Sequence, residues 1–173
     1  GLEAMGARVE LEEGYVIAEA PGILEGGSFT LNPSSVGATI NLLLAAVLKA
    51  RHSTIYNAAR EPDVVLLCEA LTKMGADIEG TGSDTLTIRA VDRLRGTELD
   101  NAPDRIETGT FMIAAAMHPE SEILLTGTRP EELGLFPDLF RQTGALLRME
   151  GDRIEIRAPE TIRPVSVTTA IYP

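Results

Sequence analysis

The run Ser35-Val36-Gly37-Ala38-Thr39 has the makings of a helix start that could hold an anion. The first four amide N–H groups of a helix lack intrahelical partners, and the helix dipole places partial positive charge beside them. Ser34 or Ser35 can satisfy one of these donors. Ala38 stands where a capping box would need Glu or Gln, so further donors stay open. Gly37 removes side-chain bulk where a ligand could approach the backbone. Positive dipole, open donors and small residues suit a phosphate or carboxylate. A plain serine N-cap uses the same residues, and on the residues alone it is the more ordinary explanation.

The other candidates are weaker. Asn57-Ala58-Ala59-Arg60-Glu61-Pro62-Asp63 reads as the end of a strand and the opening of a helix, a place where α/β proteins often carry sites. A solvated turn with acids at the helix start explains the same residues. Asp104-Arg105-Ile106-Glu107 can cap itself, and two acids there would repel an anion. Cys68 lies among Leu66, Leu67 and Leu71 and reads as core rather than nucleophile. His52 and His118 are isolated, so no metal-ligand spacing is present. There is no Gly-Lys-Ser/Thr phosphate loop and no dinucleotide fingerprint. Nothing in the stretch forms a catalytic constellation.

The net charge of −11 excludes the usual nucleic-acid binder and an electrostatic membrane binder. Hydrophobic residues make up 44% and aromatics only 4%, so a core of Leu, Ile, Val, Ala and Met is expected. A single cysteine excludes an internal disulfide and fits a reducing compartment. No apolar run approaches membrane-span length.

The elements that must position these residues follow from an internal repeat. Met5-Gly6-Ala7, Met74-Gly75-Ala76 and Thr143-Gly144-Ala145 recur at equal intervals of 69 residues. Leu44-Ala45-Ala46 and Ile113-Ala114-Ala115 keep the same phase, as do Val9, Ile78 and Leu147. One unit, at about 22–90, reads β-α-β-α-β-β. It has a strand at Gly27–Leu31, a helix from Ser35 or Val36 to about Ala50, and a strand at Ser53–Ala58. A helix at Pro62–Met74 follows, then a hairpin of Asp77–Glu79 and Thr85–Arg89. The second unit is expected at Thr97–Asp100, Asp104–Met117, Glu122–Thr126, a helix ending near Thr143, Leu146–Met149 and Arg153–Arg157. Gly134 and Pro137 should break its second helix. Before Gly22 lie a helix end at Gly1–Met5 and a hairpin turning at Glu13-Gly14. A further unit is expected to begin after Pro159, with a strand at the end of the chain. The chain thus reads as a piece of a longer protein. The first helix of each unit is apolar nearly all round and is expected to be buried, with sheets outside.

Three runs, Ser35–Thr39, Asn57–Asp63 and Asp104–Phe111, together resemble the UDP-N-acetylglucosamine 1-carboxyvinyltransferase family of enolpyruvyl transferases. The resemblance covers essentially the whole chain. It implies an α/β fold, an inside-out α/β barrel of β-α-β-α-β-β repeats in two lobes, of which this chain would be a partial copy. Residues 1–102 would belong to one lobe and 103–173 to the other. It implies transfer of enolpyruvyl from phosphoenolpyruvate to the 3-hydroxyl of UDP-N-acetylglucosamine, through a tetrahedral intermediate and with release of phosphate. That is the first committed step of peptidoglycan synthesis, in the cytoplasm, without a cofactor or metal.

In the family the segment before the buried helix binds the uridine nucleotide, which maps to Pro33, Ser34, Ser35, Val36 and Gly37. Some members carry Lys where this chain has Pro33, so binding here would rest on backbone N–H groups or on Arg residues from elsewhere. Arg60, Glu61 and Asp63 match a cleft-lining run with a shortened acid. The family's catalytic groups match nothing in this stretch, and Cys68 does not match its loop cysteine. Partners would be the two substrates and the remainder of the polypeptide, with no nucleic acid and no membrane. Two rival readings stay open: a non-catalytic module that binds a nucleotide sugar or a protein, and a 3-phosphoshikimate enolpyruvyl transferase.

Overall fold

The structure, a computed structural model, describes residues 1–20, 22–48 and 51–172. A 3₁₀ turn at Glu3–Met5 leads into the hairpin β1 (Arg8–Glu12) and β2 (Tyr15–Glu19). Its two-residue turn places Glu13 and Gly14 at φ 48° and 85°, the backbone a tight hairpin turn demands. The first full unit follows as β3 (Ser28–Thr30), α1 (Val36–Val47), β4 (Ser53–Tyr56), α2 (Pro62–Lys73), β5 (Asp77–Glu79) and β6 (Thr85–Arg89). The second unit comprises α3 (Arg105–Met117), β7 (Glu122–Leu125), α4 (Phe136–Gln142), β8 (Leu146–Glu150) and β9 (Arg153–Arg157). A 3₁₀ turn at Pro130–Leu133 precedes α4. Gly134, at φ 54° and ψ −128°, breaks the helical path between them as expected, and Pro137 sits in the first turn of α4.

The chain forms two compact units, Gly1–Leu99 together with the stretch from Ile171, and Asp100–Ala170. In the first, a four-stranded sheet runs in the order β3-β4-β6-β5, with β3 parallel to β4 and the other pairs antiparallel. Its core joins Leu42, Leu43 and Val47 of α1 to Ile55, Leu86 and Ile88 of the sheet and to Val64, Cys68 and Leu71 of α2. In the second, the order is β7-β9-β8, and Ile154 and Ile156 of β9 pack with Met112, Ala115 and Phe140. Both sheets are open; among the described residues no barrel closes.

The repeat is visible in the backbone. Gly6, Gly75 and Gly144 all adopt positive φ, at 90°, 102° and 96°. Each ends a helical turn, with its N–H donating three residues back, to Glu3, Thr72 and Arg141. The carbonyl just before each glycine then accepts from an amide about twenty residues on: Met5 from Glu25, Met74 from Arg95 and Thr143 from Arg163, at 2.7, 2.8 and 2.9 Å. The equal spacing in sequence is therefore a helix stop and a chain tie used three times.

Four expectations are corrected. Thr97–Asp100 forms no strand, and neither do residues 160–172. The equivalent strand β3 exists through its ladder with β4. Thr97–Leu99 belong to the first unit, whereas β7, the counterpart of β4, belongs to the second and pairs with β9. Without a ladder partner an exposed polar segment stays irregular. Helix α1 ends at Val47, with Leu48 bridging to Val91; Lys49 and Ala50 lie outside the described residues. Finally, α1 and α3 are not buried all round. α1 buries one stripe, Thr39, Leu42, Leu43, Ala46 and Val47, against its own unit, while Leu44 stays 48% exposed. α3 leaves Phe111 and Met117 exposed. Each of these two helices packs one side into the core of its own unit and leaves apolar side chains on the other side exposed.

Candidate functional site

Because β3 and β4 are parallel neighbours, the connections leaving them, residues 31–35 and 57–61, emerge at the same edge of the sheet. α1 and α2 begin directly after these connections. Open α/β sheets usually bind ligands at such an edge, where strand carboxyl ends meet helix starts.

Ser35 is the N-cap of α1: its backbone is extended and its Oγ accepts from the Ala38 N–H at 3.3 Å. The Ser35 carbonyl accepts from the Thr39 N–H at 2.9 Å. The N–H groups of Val36 and Gly37 therefore meet no acceptor among the described residues. No acid lies in the first turn of α1. Gly37 is exposed, and a Cβ placed on it would meet nothing within 4 Å. The fold does not demand glycine there; the space over the helix start is open. Pro33 is exposed after a cis Asn32–Pro33 bond, and Ser34 is half-buried.

The corresponding start of α3 is closed. One oxygen of Asp104 accepts from the N–H groups of Ile106 and Glu107, at 2.7 and 3.1 Å, and Glu107 adds a second acid to the first turn. The sequence contrast between a serine-capped and an acid-capped copy survives as a contrast between open and occupied donors.

The second run lies beside the first. Asn57, at φ 53°, ends β4 and donates its side-chain amide to the Leu31 carbonyl at 2.8 Å. Ala58 N–H donates to Asp84, and Ala59 N–H to the buried Thr39 hydroxyl at 2.9 Å. The Asn57 and Ala59 bonds fasten the β4–α2 connection to the segment that leads into α1 and to the first turn of α1. Arg60 is half-buried, with Nη2 3.5 Å from the Tyr172 carbonyl, the outer limit of a hydrogen bond. Glu61 is the N-cap of α2 but makes no side-chain cap, and its Oε2 is shielded from solvent with no hydrogen-bond partner. Asp63 stands exposed in the first turn of α2. The structure thus brings Ser35–Gly37 and Asn57–Glu61 together, two runs that the sequence separates by about twenty residues. Asp104–Phe111 lies in the second unit.

Thr39 and Asn57 are the residues whose work sequence reading missed. Their types gave a hint, since Thr39 and Thr108 share one slot of the repeat, but their partners are set by the tertiary fold. Cys68 is fully buried, and burial pushes its thiol pKa up, so it is core and not a nucleophile. No group of three or more His, Cys, Asp or Glu among the described residues is arranged to hold a metal ion. No helix there is long and apolar enough to cross a membrane. An open depression lined by Arg148, Glu150, Asp152 and Arg153 lies on the β8–β9 hairpin and involves none of these residues.

Comparison with known proteins agrees with this architecture. The chain is 44% identical over 173 residues to UDP-N-acetylglucosamine 1-carboxyvinyltransferase of Chlorobaculum parvum, covering 99% of the chain and 41% of that protein. It is 46% identical over 173 residues to the protein of the same name from Novosphingobium aromaticivorans, covering 99% of the chain and 40% of that protein. The chain therefore spans about two fifths of the length of these relatives. Among solved structures, the enolpyruvyl transferase NikO of Streptomyces tendae superposes with a TM-score of 0.76 at 22% identity, over 91% of this chain and 40% of that one. EPSP synthase of Acinetobacter baumannii gives 0.59 at 20% identity, over 92% of this chain and 38% of that one. At those identities the likeness shows the enolpyruvyl-transferase fold. A family profile described as EPSP synthase (3-phosphoshikimate 1-carboxyvinyltransferase) matches residues 1–173, and the chain belongs to that family.

Proposed function

We propose that this chain is part of an enzyme that transfers enolpyruvyl from phosphoenolpyruvate to the 3-hydroxyl of UDP-N-acetylglucosamine. The start of α1 holds the nucleotide diphosphate. The observation that carries the reading is the pair of open N–H groups on Val36 and Gly37, at a helix start free of acids. Relatives more than 40% identical and named for that reaction supply the substrate class.

On this reading the diphosphate oxygens accept from the two N–H groups, with the α1 dipole adding favourable charge. Pro33 offers no cation, so backbone groups dominate, and Pro33, Ser34 and Ser35 form the wall against which the nucleotide rests. Arg60, Glu61 and Asp63 line the cleft beside it. The sugar hydroxyl adds to C2 of phosphoenolpyruvate while C3 takes a proton, giving a tetrahedral intermediate. Loss of phosphate and of a proton from C3 restores the double bond. The groups that move those protons lie outside this stretch. Residues 1–102 would belong to one lobe and 103–173 to the other; the compact units divide close to that boundary, between Leu99 and Asp100, while the stretch from Ile171 groups with the first unit. The product would enter peptidoglycan synthesis in the cytoplasm.

The test is phosphate release from phosphoenolpyruvate by the full-length protein with either UDP-N-acetylglucosamine or shikimate 3-phosphate. Release with the UDP-sugar alone is the expected result. Release with shikimate 3-phosphate alone assigns the protein to the reaction named by the family profile. UDP-sugar binding without release from either acceptor leaves a binding module.

A further inference from the structure

We propose that Thr39 is a positioning residue: its hydroxyl couples the anion-holding start of α1 to the connection that carries Arg60 and Glu61. This rests on the reading that the α1 start holds the diphosphate. Thr39 is fully buried. Its Oγ1 donates to the Ser35 carbonyl at 2.8 Å and accepts from the Ala59 N–H at 2.9 Å. One hydroxyl thus ties the N-cap residue, whose neighbours bear the open donors, to the residue just before Arg60. On the other side of the site, Asn57 ties the same connection back to Leu31 at 2.8 Å. The two bonds bracket residues 31–39 and 57–59 from both ends.

The second unit isolates the purpose of this bond. Thr108 occupies the same repeat slot, is also buried, and makes the same intrahelical bond, to the Asp104 carbonyl at 2.9 Å. A Thr hydroxyl bonding back into its own helix is therefore shared structure. The second bond is not shared. Thr128, the counterpart of Ala59, sends its N–H to the Asp152 carbonyl at 3.0 Å and not to Thr108. The loop tie is found in the copy whose donors are open and not in the copy whose donors Asp104 closes. Thr supplies the donor and acceptor together, whereas Val, of equal shape, supplies neither and leaves the Ala59 N–H buried without a partner.

The experiment compares Thr39→Val, Thr39→Ser, Asn57→Gly and Thr108→Val in the full-length protein. It measures melting temperature, the Kd for UDP-N-acetylglucosamine by calorimetry, and KM and kcat separately. Thr39→Val is expected to raise Kd and KM for the UDP-sugar about tenfold with kcat changed less than threefold. Thr39→Ser, which keeps the hydroxyl, stays within threefold of the parent. Asn57→Gly keeps the backbone conformation and loses one tie, so it raises KM severalfold and serves if Thr39→Val does not fold. Thr108→Val lowers the melting temperature and leaves KM unchanged. Equal losses of melting temperature in Thr39→Val and Thr108→Val, with KM unmoved in both and in Asn57→Gly, would overturn the coupling. Ser35→Asp separates the two levels: if it too leaves UDP-sugar affinity unchanged, the diphosphate reading itself fails, and if it alone weakens affinity, only the coupling fails.

Discussion

Gly37 and Gly75 are separated by what the backbone asks of them. Gly75 sits at φ 102°, where any L side chain is strained although nothing lies within 4 Å of its Cβ position. Gly75→Ala should cost about 1 kcal/mol or more, read as a lower denaturation midpoint. Gly37 is helical with the same open space, so Gly37→Ala should stabilise by roughly 0.5 kcal/mol through helix propensity. The added methyl would still stand over the open donors, so affinity for UDP-N-acetylglucosamine should fall severalfold while stability rises. Opposite signs in calorimetry and melting are the signature; unchanged affinity would remove Gly37 from the site. Cys68 gives a further residue-scale test. Burial raises its pKa, so the folded state holds the neutral thiol. The stability from that thiol is fully present below the unfolded cysteine pKa and is lost as pH rises through the folded value. At neutral pH a thiol reagent should label Cys68 only at the rate of unfolding, and rapid labelling of the native protein would contradict its place in the core.

At the scale of elements, α1 and α3 are two copies of one helix with different starts. Both have a buried Thr in the first turn bonded to the cap carbonyl. They differ in the cap itself, Ser35 against Asp104. Ser35→Asp would give α1 the start of α3. Asp is as good an N-cap as Ser and favours the dipole, so stability should hold or rise by up to about 1 kcal/mol. Its charge would face the anion and compete for the same donors, so affinity for UDP-N-acetylglucosamine should drop at least tenfold. Raising the salt concentration should recover part of that loss if the effect is electrostatic. The second helix of each unit shows the same divergence. α2 runs unbroken over Pro62–Lys73, while Gly134 splits its counterpart into a 3₁₀ turn and the short α4.

At the scale of the whole molecule, each compact unit has its own core. Ile55 and Ile88 are fully buried in one, Ile154 and Ile156 in the other. Ile55→Ala and Ile154→Ala should each destabilise by about 2–5 kcal/mol, because a buried cavity cannot fully collapse. Hydrogen exchange should then quicken mainly in the unit that carries the change. Equal acceleration throughout both units would mean that they unfold as one.

Much of this was legible from residues alone. The interval between the glycines announced the repeat because a helix stop with positive φ admits little else. Alternating strands, capped helices and the hairpin at Glu13-Gly14 followed from local chemistry, and so did the split at Gly134. So did the contrast between an open and an acid-closed helix start, since caps act within one turn. Other features depended on partners distant in the chain. Thr97–Leu99 carries the register of a strand yet forms none, because a strand exists only through its ladder. The outer faces of α1 and α3 are apolar yet exposed, because composition marks what can be buried and packing decides what is. The meeting of Ser35–Gly37 with Asn57–Glu61 depended on the parallel pairing of β3 with β4 and on the hydroxyl of Thr39. Local sequence determined the helix starts, the glycine stops and the open donors of α1. Only the tertiary structure decided which loops share an edge, because pairing and burial are settled between segments and not within them.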